Sequence, residues 1–167
     1  MIHHISVSAK NPQHVAQVLA KVLKGQVVPF PPNPGSYIVF PGDEYGTAVE
    51  VYPLASEILP GTSPDEHCMF VHNDNPSMFT ATHAAISVPV TQEEIEQVGM
   101  SEGWRVVRCS RESLFDVMEF WVENRLMIEL LTSEMASQYL AFTKHPEKLQ
   151  EFFAAATKGL PKNQIIK

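Results

Sequence analysis

The chain has 167 residues, 44% of them hydrophobic, with 12 Lys and Arg against 19 Asp and Glu for a formal charge of −7. That length accommodates one domain or two fused modules of roughly 80 residues with a real core. The acidic balance excludes nucleic acid and anionic membrane surfaces as partners, because phosphate binding needs clustered Lys and Arg. Only two cysteines occur, Cys68 and Cys109, and their spacing fits neither a zinc knuckle nor a disulfide framework, so both read as reduced thiols. No apolar run reaches the length of a signal peptide core or a membrane span, and a cytoplasmic protein is expected.

The chain opens with a strand over about residues 2–9. Asn11 and Pro12 then provide an N-cap and a first-turn proline for a helix whose apolar positions are Val15, Val18, Leu19, Val22 and Leu23, with Gly25 as its stop. QVVPF is a short strand that Pro29 keeps at an edge, PPNPG is a loop, and SYIVF and TAVEVYP are strands separated by the turn GDEYG. Residues 54–81 read as a polar linker with a possible short strand at HCMFVH, and its His67 and His72 as solvated rather than ligating.

From residue 82 the plan repeats. THAAISVP is a strand, Thr91 and Glu94 form a T-x-x-E capping box ahead of Ile95 and Val98, and Gly103 closes the helix. WRVVRCS, LFDVMEFWV and LMIELLT are three further strands, with VENR as the last turn. Residues 133–167 form an appendage with no counterpart in the first half. MASQYLAF is read as helical, and a second helix starts at Pro146 with Leu149, Phe152, Phe153 and Ala156 on its apolar face.

The two halves share a spacing. Glu50 follows His4 by 46 positions, Glu129 follows His83 by 46, and each member of the second pair lies 79 positions after its counterpart. Such an offset indicates a duplicated module. In a strand, alternate side chains face opposite ways, so His4, Ser6 and Ser8 oppose Ile5 and Val7, while Ala48, Glu50 and Tyr52 oppose Val49 and Val51. The second copy places His83, Ala85 and Ser87, with Met127, Glu129 and Leu131, on the corresponding side. In each copy the β-branched or leucine face lacks the ionisable group. The expected architecture is therefore α+β, two tandem βαβββ modules (1–53 and 82–132) forming a curved mixed sheet around a cup, followed by C-terminal helices.

Two imidazoles and two carboxylates converging on that cup would make a mixed N/O site for a divalent transition ion, with Ni, Zn, Co, Fe and Mn all compatible. Without an ion, two close carboxylates would repel and resist ionisation. His3 is the nearest rival to His4, but alternation sends it to the apolar face.

At these residues the sequence resembles the vicinal oxygen chelate superfamily, the glyoxalase, bleomycin-resistance and dioxygenase group, across both modules. The resemblance implies metal ligands from the first and last strand of each unit, here His4, Glu50, His83 and Glu129. That set is most similar to the one in bacterial lactoylglutathione lyases. It further implies a homodimer and a small substrate with vicinal oxygens, converted through an enediolate-type intermediate by a lyase or isomerase. Glu129 or Glu50 would move the proton, with Glu129 slightly preferred. The alternatives are a non-catalytic small-molecule binding or resistance protein of the same fold, and an extradiol-type dioxygenase. Ser8 and Leu54 stand where lactoylglutathione lyases commonly carry an arginine and an asparagine that contact glutathione, and VENR replaces their D-P-D-G-type turn.

Overall fold

A computed structural model describes residues 2–111, 114–144 and 150. The first module comprises β1 (His4–Ala9), α1 (Pro12–Leu23), β2 (Gln26–Phe30), β3 (Ser36–Phe40) and β4 (Ala48–Pro53). A hairpin of β5 (Ser56–Leu59) and β6 (Met69–His72) follows. The second module comprises β7 (Ala85–Ser87), α2 (Gln92–Glu102), β8 (Val106–Arg111), β9 (Phe115–Val122) and β10 (Leu126–Leu131), and α3 (Ser133–Thr143) completes the described chain.

The strand orders are β1-β4-β3-β2 and β7-β10-β9-β8, so both modules have the same topology. In each, the first and last strands pair in parallel, a connection that α1 and α2 make possible by crossing over one face. The two four-stranded sheets remain separate ladders. Their apolar faces nevertheless share one core, which runs from Val7, Val39 and Val51 through Val15, Leu19 and Val22 to Ile95, Met118, Phe120 and Ile128. Fully burying each such aliphatic or aromatic side chain stabilises the fold by roughly 1.5–3 kcal/mol relative to leaving it in water.

Local chemistry sets the helix limits. The Asn11 side chain accepts from the His14 N–H at 3.2 Å, and Pro12 occupies the first turn. At α2 the capping box is complete. The Glu94 N–H donates to the Thr91 hydroxyl at 3.2 Å, and the Thr91 N–H donates to the Glu94 carboxylate at 2.8 Å.

The helix ends differ from expectation in one respect. The left-handed residue that closes α1 is Lys24, at φ 51°, not Gly25, whereas Gly103 closes α2 at φ 67° as the sequence suggested. Lys24 and Gly103 are 79 positions apart, so the duplication holds at the caps as well as at the His–Glu pairs. Gly25 is small for another reason, since a Cβ there would lie 2.6 Å from the Phe40 carbonyl oxygen.

The linker is more structured than a polar composition implies, because β5 is a strand that sequence patterning does not reveal. Phe70 on β6 meets the Tyr52 ring edge-on at 5.4 Å, so the hairpin lies against the polar face of the first sheet. Helix α3 plays the matching part in the second module. Its Tyr139 and Phe142 contact Phe115, whose side chain alternates onto the same face as Val117 and Glu119. The helix read after Pro146 lies outside the described residues apart from Gln150. Among the described residues, no helix is long and apolar enough to cross a membrane.

The two modules are also joined through the turn between β9 and β10. Glu123 accepts from the backbone N–H groups of Lys10 and Asn11 at 2.7 and 2.9 Å, and Arg125 donates to the Ser8 carbonyl at 2.5 Å. On the helix side, Glu102 of α2 receives His14 and Lys21 of α1 at 2.6 and 3.1 Å.

The caps give a pair of substitutions with opposite signs. Gly25→Ala should destabilise by about 1–3 kcal/mol, because the obstructing atom is backbone and cannot rotate away. Lys24→Gly should be neutral or slightly stabilising, because it relieves a left-handed L-residue. Urea midpoints of the two variants check this, and the reverse order would reassign the cap.

Candidate functional site

Parallel pairing positions both candidate carboxylates by the same rule. Ser6 is in register with Glu50, and Ala85 with Glu129, so each Glu lies beside the residue two places after its histidine. In β1, alternation keeps His4 on the carboxylate's side of the sheet. The pairs differ in one detail. His4 is the first residue of β1, whereas His83 precedes β7 by two residues, with its Nδ1 at 3.3 Å from the Ala81 carbonyl.

Glu50 is 9% exposed. Its Oε2 accepts from the Ser6 hydroxyl at 2.8 Å and the Tyr52 hydroxyl at 2.5 Å, which confirms that Ser6, Glu50 and Tyr52 share a face. Tyr52 is itself clamped between Phe30, stacked at 5.8 Å, and Phe70. Burial, then the bond to Glu50, pushes the Tyr52 phenol up to about 12, so it remains a donor at any ordinary pH.

Glu129 is equally buried but has a different partner. The Arg111 guanidinium contacts its Oε1 and also donates to Glu119 at 3.0 Å. Glu119 is directly opposite Glu129 across the β9–β10 ladder, where two like charges need a cation between them. Burial acts to raise the Glu119 carboxyl, but the Arg111 bond and those from Trp121 and Cys109 outweigh it and hold Glu119 below its ordinary value. The bond to Glu129, with Glu119 adding to it against burial, raises Arg111.

The four residues expected as one ligand set are not assembled in a single chain. Among the described residues, no three His, Cys, Asp or Glu side chains gather closely enough to hold a metal ion. His4 and His83 do line a common cavity of about 980 Å³ between the first strands of the two modules, and neither Glu50 nor Glu129 contributes to its lining. A second cavity of about 390 Å³ lies under the β5–β6 hairpin and is lined by Ser6, Ser8, Tyr52, His83 and Arg125.

Arg111, Glu119 and Arg125 did not stand out in the sequence. A signal for the first two was present, because carrying the strand pairing back from the VENR turn sets Glu119 opposite Glu129 and requires a nearby cation. Arg125 gave no such signal, since its burial depends on how the two modules dock.

Solved structures with this architecture include the fosfomycin resistance protein FosX from Listeria monocytogenes, at 12% identity and a TM-score of 0.51 over 83% of this chain and 97% of that one. A glyoxalase family protein from Bacillus anthracis is similar at 14% identity and a TM-score of 0.50, over 78% of this chain and 92% of that one. Lactoylglutathione lyase from Agrobacterium tumefaciens is similar at 9% identity and a TM-score of 0.50, over 80% and 94%. No protein-family model and no curated protein sequence matches the chain. The chain shares the fold of these proteins, the paired βαβββ arrangement expected from its sequence.

Two stability measurements follow. Arg111→Met should cost about 1–3 kcal/mol at pH 8, below the full value for a buried pair because the Arg111 side chain is 35% exposed. The loss should shrink as pH falls below 4.5, because the Arg111 bond that holds Glu119 below its ordinary value is lost when Glu119 takes a proton. A loss independent of pH would contradict the role assigned to Arg111. For Tyr52, the folded value lies above the ordinary 10.0, so its contribution to stability is intact below pH 10 and falls as pH rises toward 12. Urea midpoints of metal-stripped protein should therefore drop between pH 9.5 and 11.5 by more than those of Tyr52→Phe, by roughly 2 kcal/mol across the window.

Proposed function

We propose that the chain is a metal-dependent, glyoxalase-type lyase or isomerase acting on a small substrate with vicinal oxygens, and that its metal centre is completed when two chains associate. The His4–Glu50 pair of one chain and the His83–Glu129 pair of a second would supply two imidazole nitrogens and two carboxylates. That donor set suits Ni, Zn, Co, Fe or Mn. The observation that carries this reading is the state of Glu50, a buried carboxylate held by two neutral hydroxyls and, among the described residues, by no cation. A charge in that setting is costly unless a cation compensates it.

A bound ion supplies Lewis acidity toward adjacent substrate oxygens. The chain's own residues do the rest. Ser6 and Tyr52 fix Oε2 of Glu50, which leaves Oε1, without a hydrogen-bond partner among the described residues, directed by two anchors rather than by solvent. Glu129 enters with a guanidinium already on Oε1. Glu50 is therefore the better placed of the two to take a proton from substrate, which reverses the order preferred from the sequence. The hairpin ring Phe70 and the Phe30 ring on Tyr52 keep water away from that carboxylate.

Arg111 favours a second reading. If the guanidinium stays on Glu129, it does the work of a cation there, and the chain is a small-molecule binding protein of the same fold without turnover.

Metal titration separates the two. EDTA-stripped protein should take up Ni²⁺ or Mn²⁺ stoichiometrically, with His4→Ala and Glu50→Gln each weakening uptake at least about tenfold and Ser6→Ala by roughly tenfold. Absence of uptake, with a thermal midpoint unchanged by EDTA, would leave the binding protein.

A further inference from the structure

Arg125 is 3% exposed, the most deeply buried cation among the described residues. Its three hydrogen bonds go to neutral oxygens. Nε donates to the Met78 carbonyl at 3.1 Å, Nη1 to the Ser8 carbonyl at 2.5 Å and Nη2 to the Ser8 hydroxyl at 3.1 Å. No carboxylate lies within ion-pair distance of it among the described residues. The acid that acts on it through space, Glu123, is occupied by the N–H groups of Lys10 and Asn11. Burial lowers Arg125 from the ordinary arginine value, though a guanidinium keeps its proton in proteins. A buried charge without a counter-charge is strongly unfavourable, and partial neutralisation by carbonyl dipoles does not remove the net charge.

The same side chain lines the cavity of about 390 Å³ under the hairpin, a volume suited to a small molecule. The lining also carries the hydroxyls of Ser8, Thr80 and Thr82 and the His83 ring, among apolar residues such as Leu54, Ile58, Leu126 and Ile128. One acid, Glu57, also lines the cavity and is held by the Asn73 amide at 2.5 Å. A guanidinium has five N–H donors, so the three bonds to Ser8 and Met78 leave two for a ligand.

We propose that this cavity binds the anionic oxygen headgroup of a small ligand, a carboxylate, phosphate or phosphonate, with Arg125 as its counter-ion and the surrounding hydroxyls as supplementary donors. Planar, paired N–H donors are the usual means of holding such groups. Ser6 and Tyr52, the two residues that hold Glu50, line the same cavity, so a ligand anchored at Arg125 would extend toward the wall behind which that carboxylate lies. Only this last step rests on the metal-enzyme reading, since anion binding at Arg125 needs no metal.

The test is calorimetric titration of EDTA-stripped, full-length protein with methylphosphonate, inorganic phosphate and acetate, alongside the uncharged propane-1,2-diol. At least one anion should bind at millimolar concentration or below and the diol should not, and the ranking of the three identifies the headgroup. Arg125→Gln should weaken that anion at least tenfold, whereas Arg105→Gln, whose side chain does not line the cavity, should leave it unchanged. Because Arg125 also joins the modules, Thr82→Val provides a check that does not disturb the clasp, with an expected weakening of about threefold to tenfold. Failure of the unsubstituted protein to bind any of the three anions, or equal binding by a folded Arg125→Gln, would overturn the inference. Anion binding by a protein that takes up no metal would uphold it while removing the metal-enzyme reading.

Discussion

A parallel pair of strands, made twice, governs the candidate site. Because β1 and β4 run side by side in one fixed register, and β7 and β10 in the same register, each histidine-bearing segment is tied to one glutamate. A shift of one residue in either pair would send the carboxylate into the apolar core, where Val49, Val51, Ile128 and Leu130 are almost fully buried. The helices enforce that register, since α1 and α2 each cover the apolar face and are closed by left-handed residues at the same offset as the His–Glu pairs. The backbone pairing beside each glutamate is therefore the same in both modules.

The two copies have since been given different surroundings. Glu50 sits among hydroxyls under the β5–β6 hairpin, whereas Glu129 shares a guanidinium with Glu119. Among the described residues Glu50 therefore has no cation against it, whereas Glu129 and Glu119 share one guanidinium. The β9–β10 turn adds a further asymmetry, because Glu123 and Arg125 extend from module 2 to the end of β1 and leave a buried positive charge in the lining of the cavity under the hairpin.

Much of this was legible from residue order alone. Period-two alternation predicted that Ser6, Glu50 and Tyr52 would share a face, and their hydrogen bonds bear that out. The repeat of βαβββ followed from cap residues and strand lengths, which are local signals. What escaped depended on contacts distant in sequence. The strand SEIL is short and lies in a polar stretch, so it acquires its conformation from pairing with Met69–His72 rather than from its own pattern. Lys24 takes the left-handed cap, and Gly25 is instead the position where a Cβ would meet the Phe40 backbone. The burial of Arg125 depends on docking between modules, and the separation of the four donors within one chain depends on how the two sheets lie relative to each other. Neither is encoded in the spacing of 46 or 79 that first drew attention to those donors.

The central claim is that each half-site is sound but incomplete, and that one chain's first half-site is completed by another chain's second. Mixing a Glu50→Gln chain with a Glu129→Gln chain, each purified metal-free, tests this most directly. In a mixed pair, one of the two centres would combine both altered carboxylates and the other neither. The account predicts that metal uptake absent from either variant alone returns on mixing and exchange, to about half of one ion per mixed-dimer chain. Uptake that stays absent after subunit exchange has been demonstrated, or that persists undiminished in both single variants, would contradict it.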